Sequence, residues 1–205
     1  MSQHTGPAST RRHALAALLT AALVLTGAAA QSAPAQTTVA NVRNFGKINE
    51  HYYRGEQPKG EDFAELKRLG IKTVIDLRKD QMSDAQAQAE QAGLRYVNLP
   101  LTTKKPPTED ETEQFLRLVN EPENWPVYVH CKGGRHRTGV LTAVYRITQD
   151  GWTADQAYDE MKLFDFENGS FLSGGGSRER LRRHVYEFYE QHRNTARAEG
   201  DTRER

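Results

Sequence analysis

The chain holds a single cysteine, Cys131, in the stretch HCKGGRHRTG at residues 130–139, where Lys132, Arg135, Arg137 and the glycines Gly133, Gly134 and Gly139 surround it. A thiol attacks as its thiolate. Cations and unpaired backbone N–H groups stabilise that form: a cysteine at a helix N-terminus among positive charges ionises at about 3.5–7.5 instead of about 8.5. The same features attract an oxyanion. Peptide N–H groups at the start of a helix lack intrahelical partners and carry the positive end of its dipole. Gly133 and Gly134 permit the tight curl that makes such groups converge. Arg137 adds a planar fork that grips two phosphate oxygens at once, a geometry lysine does not copy. One arrangement would therefore activate the nucleophile and bind its target, with Lys132, Arg135 and His136 adding positive charge to the rim.

A strand and a helix must hold that loop. VYVHC (127–131) reads as a buried strand, and Thr138 to Gln149 as a helix with Val140, Leu141, Val144 and Ile147 inward. The rest alternates in the same way. NFGKINEHYYRG suggests a short strand pair around a turn. Phe63, Leu66 and Leu69 share a helical face that ends at Gly70. KTVIDLR (72–78) and RYVNLPL (95–101) are strands. Ser83 with Gln86, Thr108 with Glu111 and Thr153 with Gln156 have the spacing of capping boxes, and a last helix runs from Arg178 to His192. Strands separated by helices predict an α/β fold with a central, mostly parallel sheet flanked by helices. In such folds ligands sit at the carboxyl ends of the strands, where Cys131 lies.

Composition bounds the possible functions. The 205 residues are 37% hydrophobic and 27% charged, with a net charge of +1, which suits a globular domain and argues against nucleic-acid binding by bulk electrostatics. The N-terminal end differs. Arg11 and Arg12 precede an uncharged run from Ala14 to Ala30, followed by small residues to Ala35: a basic region, an apolar region and an A-x-A-type cleavage site. We expect residues 1–35 to be an export signal, 36–43 a linker, 44–194 the catalytic domain and 195–205 a flexible charged tail. The secretory route fits better than the twin-arginine one, because the residues after Arg12 do not continue that pattern; a retained segment would anchor the protein. Losing Arg11 and Arg12 takes the 28 basic residues to 26 against 27 acidic ones, so positive potential must be local. A lone cysteine forms no internal disulfide, and the fold must be held by its core.

Cys131, five intervening residues, Arg137 and Thr138, preceded by His130, resemble the Cys-x5-Arg signature of the protein tyrosine phosphatase superfamily. HCKGGRHRTG is most similar to the atypical dual-specificity phosphatases of plants, fungi and bacteria, and YRGEQP, LKRLGIKTVIDLR and YVNLP resemble the front half of that group. The resemblance implies that Cys131 attacks phosphorus to form a phosphocysteine, that Arg137 binds the equatorial oxygens, and that the Thr138 hydroxyl supports the thiolate. It also implies that His130 tunes the thiol through a backbone hydrogen bond, that Asp76 and Arg78 form a buried supporting pair, and that no metal or cofactor is required. The general acid departs from the family pattern. Thr102, Thr103, Lys104 and Lys105 follow the RYVNLPL strand, and the nearest carboxylates are Glu109, Asp110 and Glu111. Asp110 is the candidate acid, with Glu109, Glu111, Asp165 and Glu167 as alternatives; acids in a first helical turn equally serve the dipole. Lys104 and Lys105 are expected at the mouth with Lys132, Arg135 and His136. So many cations suit an inositol polyphosphate or pyrophosphate, alongside a phosphotyrosine protein. A monomer with no nucleic-acid partner and no stable membrane insertion after signal cleavage is expected.

Three other readings use the same residues. A rhodanese-like sulfurtransferase also seats a thiolate in a ring of N–H groups, although Arg137 and Thr138 favour phosphate over persulfide. A catalytically weak phosphate-binding module would explain the absent acid. A zinc site from His130, Cys131 and His136 lacks both spacing and a second cluster.

Overall fold

The computed structural model describes residues 42–79, 84–168 and 175–203. The expected export signal and most of the expected linker lie outside these residues, as does Ser83. Five strands form one sheet: β1 (Gly46–Lys47), β2 (Tyr52–Gly55), β3 (Thr73–Arg78), β4 (Arg95–Leu101) and β5 (Val127–His130), in the order β1-β2-β5-β3-β4. β1 runs antiparallel to β2, and every other pairing is parallel. The expected α/β fold with a mostly parallel sheet is therefore present. Its register aligns the chemistry: Gly55 and Asp76 both lie opposite His130, the residue before Cys131.

β3 and β5 are buried along their whole length, as the inner strands of a sheet covered on both faces must be. Their side chains alternate between the faces. Val74 and Tyr128 pack with Phe63, Leu66, Ala85, Ala89 and Leu94, which come largely from α1 (Asp62–Arg68) and α2 (Ala85–Gln91). Ile75, Leu77, Val127 and Val129 pack with Phe115, Val119, Leu141 and Tyr145, from α3 (Glu109–Asn120) and α4 (His136–Gln149). α4 is buried without a break from Arg137 to Ile147. Leu141 and Tyr145 face the sheet, while Val140, Ala143 and Ile147 meet Met161 of α5 (Ala154–Leu163) and Leu181 and Val185 of α6 (Gly175–Arg203). The helix that begins at the site is thus clamped between two layers.

Several boundaries differ from expectation. Val42 belongs to the core and Arg43 pairs with Glu56, so these two residues are domain and not linker. Leu69 is 44% exposed, because α1 ends before it and Leu69 is the C-cap; Gly70, at φ 86°, then turns the chain. α4 starts at His136, two residues before Thr138. α6 reaches Arg203, so the stretch from Thr195, expected to be loose, is helical that far. Pairs one turn apart accompany its exposed end, such as Arg193 with Glu190 at 2.6 Å. Both expected capping boxes within the described residues form, at Thr108–Glu111 and Thr153–Gln156.

Candidate active site

The loop after β5 is held from outside by its carbonyls. The Cys131 carbonyl lies 3.2 Å from His130 Nδ1. The Lys132 carbonyl accepts from the Gln57 amide at 3.4 Å, the Gly133 carbonyl from Asn44 Nδ2 at 2.8 Å, and the Gly134 carbonyl from Arg54 Nη2 at 2.6 Å. In a trans peptide the C=O and N–H point in opposite directions. Holding these carbonyls from behind therefore turns the next N–H groups, from Lys132 to Arg135, toward the interior of the loop, which is what an anion nest requires. The amides of Gly133 and Thr138 reach Cys131. Gly134, at φ 66°, has no substitute: a Cβ there would fall 2.5 Å from the Gly55 carbonyl carbon. Gly133 differs from expectation, having neither a positive φ nor a close neighbour.

Cys131 is 3% exposed. Burial pushes its pKa up, but the Arg137 charge, the Thr138 hydroxyl and the amides of Thr138 and Gly133 together pull it below the ordinary thiol value. The Thr138 hydroxyl is buried and has no nitrogen or oxygen partner, leaving it to the sulfur. Arg137 is aimed by Nη1, which donates to the Leu101 carbonyl at 3.1 Å and the Leu77 carbonyl at 3.4 Å, at or near the ends of β4 and β3. Burial lowers the His130 pKa to about 4, so this ring is neutral and the tautomer protonated at Nδ1 donates to the Cys131 carbonyl. Asp76 accepts from Arg78 Nη2 at 2.6 Å and from the Tyr96 hydroxyl at 2.6 Å, and its Oδ1 lies 3.8 Å from His130 Nδ1. Burial raises the Asp76 pKa, but Arg78, His130 and Tyr96 outweigh it and keep the group an anion.

Above Cys131 opens a cavity of about 480 Å³ whose walls carry six Lys or Arg residues: Arg43, Lys59, Lys132, Arg135, Arg137 and Arg178. His136 lines it too, with Nε2 on the Phe166 carbonyl at 3.1 Å. Glu56 is the lining carboxylate among the described residues, and Arg43 grips both of its oxygens. Thr103 reaches the wall, whereas Lys104 and Lys105, expected there, do not. Nor does Asp110. It stands exposed with Glu109 in the first turn of α3, where the helix turns them outward, while Glu111 closes the capping box. Asp165 pairs with Arg135 at 3.9 Å and Glu167 accepts from the Tyr158 hydroxyl at 2.7 Å; neither lines the cavity. His130 and His136 address different carbonyls, and among the described residues no His, Cys, Asp and Glu group is arranged to hold a metal ion.

The sequence alone did not point to Arg43, Asn44, Arg54, Glu56, Gln57 and Lys59, or to Arg178 of α6. The first six come from the segment around β2, which reaches the loop only through the parallel β2–β5 pairing. A signal was present in YRGEQP: an arginine in a buried strand followed by a glycine. Gly55 leaves room for the Tyr128 hydroxyl, 2.3 Å from where a Cβ would stand.

Comparison with known proteins finds similar sequences and folds. A family model described as a DSP-PTPase phosphatase fused to NAD+ kinase matches residues 32–175. The chain is similar to the dual specificity protein phosphatase TpbA of Pseudomonas aeruginosa: 32% identical over 166 residues in strain PAO1, covering 78% of this chain and 74% of that protein. For strain UCBPP-PA14 the match is 33% identical and covers 60% of this chain and 55% of the relative. It is also 27% identical to the inositol diphosphatase SIW14 of Saccharomyces cerevisiae, over 63% of this chain and 48% of that one. The TpbA crystal structure superposes with a TM-score of 0.64 at 28% identity, covering 78% of this chain and 97% of that one. A TpbA variant in complex with pTyr gives a TM-score of 0.61 at 26% identity, covering 78% and 98%.

Proposed function

The chain belongs to the DSP-PTPase phosphatase family, and from that premise we propose that it hydrolyses phosphate esters or anhydrides through a phosphocysteine on Cys131. The observation that carries this is the buried Cys131, its pKa lowered beside Arg137, at the floor of a cavity walled by cations. The thiolate attacks phosphorus, an S–P bond forms and the P–O bond breaks, its electron pair leaving with the oxygen. Arg137 binds equatorial oxygens as charge gathers on them, with its fork set by the Leu77 and Leu101 carbonyls. Water then attacks the phosphocysteine, releasing inorganic phosphate and returning the thiolate, which the Thr138 hydroxyl stabilises as a leaving group.

The preferred substrate is a small molecule bearing several phosphates, such as an inositol polyphosphate or pyrophosphate. Six cations face one carboxylate, and Arg43 already neutralises that carboxylate. Among the described residues no other lining carboxylate stands ready to protonate a leaving group, which favours oxygens that depart readily, on a phosphate or a phenol. The likeness to TpbA supports a second substrate, phosphotyrosine in a protein. Turnover of a phosphotyrosine peptide, inositol hexakisphosphate and a pyrophosphorylated inositol, measured beside Cys131→Ser, decides between them. The pyrophosphorylated inositol should be the best substrate, and Arg178→Ala with Lys59→Ala should raise its KM about tenfold while leaving para-nitrophenyl phosphate within about twofold. Turnover confined to the peptide would select the second substrate. Sulfur transfer from thiosulfate, or phosphate binding without turnover, would overturn both. The Arg11-Arg12 and Ala14–Ala30 pattern supports action outside the cytoplasm; cell fractionation tests it.

A further inference from the structure

We propose that Arg54 is a positioning residue for the phosphoryl-transfer step: it turns the Arg135 amide into the anion nest and places a second buried positive charge behind Cys131. The inference rests on the phosphatase reading above and extends it to a residue outside the loop.

Arg54 is fully buried. Nη2 donates to the Gly134 carbonyl at 2.6 Å, while Nε and Nη1 are buried without a hydrogen-bond partner, so its three nitrogens are accounted for without a carboxylate. The guanidinium instead lies over the Phe164 ring, 4.0 Å from its centroid. Two of the other buried arginines are treated differently. Arg78 has Asp76 at 2.6 Å and Arg146 has Glu160 at 2.7 Å. An arginine does not escape such a position by losing its proton, and a buried charge without a counter-ion is strongly destabilising. A fold keeps such a charge where something else balances it. Here Glu160, itself held by Arg146 at 2.7 Å, and the Cys131 thiolate both favour the Arg54 charge, and in the next step the bound phosphoryl group joins them.

The geometry shows how the charge would act. β2 pairs with β5 so that Arg54 lies opposite Val129, two residues before Cys131. The Gly134 backbone lies against the Gly55 backbone so closely that no Cβ fits between them. Arg54 therefore grips the loop where it is pressed onto β2. With the Gly134 carbonyl held from behind, the planar peptide leaves the Arg135 N–H no direction but the nest. The Cys131 thiolate favours the charged form of Arg54, and Coulomb attraction acts equally on both members of a pair.

The test measures the Cys131 ionisation by the pH dependence of iodoacetate inactivation, together with para-nitrophenyl phosphate turnover, in Arg54→Lys, Arg54→Gln and Arg54→Met. In Gln and Met the thiol pKa should rise by about one unit or more, and kcat should fall about 10- to 100-fold with KM changed less. Lys keeps the charge and should restore the pKa while recovering only part of kcat, because a point charge does not orient the peptide as the planar fork does. A thiol pKa that is the same in all three variants and the wild type, in proteins of unchanged circular dichroism, overturns the proposal. If the neutral variants do not fold, the wild type and Cys131→Ser decide. The Arg54 Nε–H nuclear magnetic resonance signal should shift when the thiolate is removed, and no shift overturns the proposal. Loss of ester hydrolysis in the wild type would sink the phosphatase reading alone, since the thiol titration and the Arg54 signal do not depend on turnover.

Discussion

The loop from Cys131 to Arg135 and the connection from Thr102 to Thr108 both border the cavity end of the sheet, and they are built in opposite ways. In the first, four successive carbonyls are held by donors from His130, Gln57, Asn44 and Arg54. In the second, Thr102 to Thr108 are half-buried or exposed, and Lys104 and Lys105 look outward. The difference teaches where the rate enhancement is placed. In the proposed reaction the held loop would activate the nucleophile and hold the oxyanion, both of which need fixed donor positions in a dry site. The open connection has no carboxylate of its own, so in the proposed reaction substrate choice would carry that part of the chemistry.

The contrast can be broken in four places. The largest effect is expected from Cys131→Ser, which should lower kcat on para-nitrophenyl phosphate by at least about 10³-fold, because an alcohol is a far weaker nucleophile than an activated thiolate; retained turnover would mean that another group attacks. Gly134→Ala forces a Cβ into the Gly55 backbone at a positive φ. It should cost about 2–5 kcal/mol in urea unfolding, and the surviving folded protein should bind vanadate more weakly. A variant as stable and as tight as the wild type would show the loop to be plastic.

The third effect concerns pH. His130 titrates at about 4 when folded, against an ordinary value of 6.5. Between these values the unfolded chain holds the extra proton. The stability contributed by the neutral ring is therefore complete above pH 6.5 and is lost as pH falls toward 4, by up to about 3 kcal/mol. Urea unfolding at pH 7 and pH 4.5 should show this slope, and His130→Gln should remove it. The smallest effect is expected from Asp110→Asn, which stands off the cavity. Turnover of every substrate should stay within about twofold, whereas loss of a true general acid would cost about 10²–10⁴-fold. A large loss, greatest for alkyl phosphates, would show that the connection folds over the site during catalysis.

Much of the architecture was legible from pattern. The alternation of strand and helix, the capping boxes at Thr108 and Thr153 and the strand VYVH all appear as expected. These depend on residues near one another in the chain, where periodicity and side-chain-to-backbone bonds act directly. Leu69 shows the limit: its spacing suits a buried face, but the helix ends one residue before it. The position of Asp110 off the cavity wall was hidden for a related reason. An acid three residues from a threonine signals a helix start, and nothing local says which way the first turn faces the cavity.

By itself, the sequence determined the strand–loop–helix that carries Cys131 and Arg137, the nucleophile and phosphate-gripping arginine of the proposed reaction, because the two lie on one short loop and the chemistry expected of them is local. Tertiary structure alone decided what stands behind and above that loop. Asn44, Arg54 and Gln57 meet it through a strand pairing across more than seventy residues, and Arg178 arrives from the last helix. Hydrogen bonds and buried charges of this kind depend on distances that only the folded sheet creates.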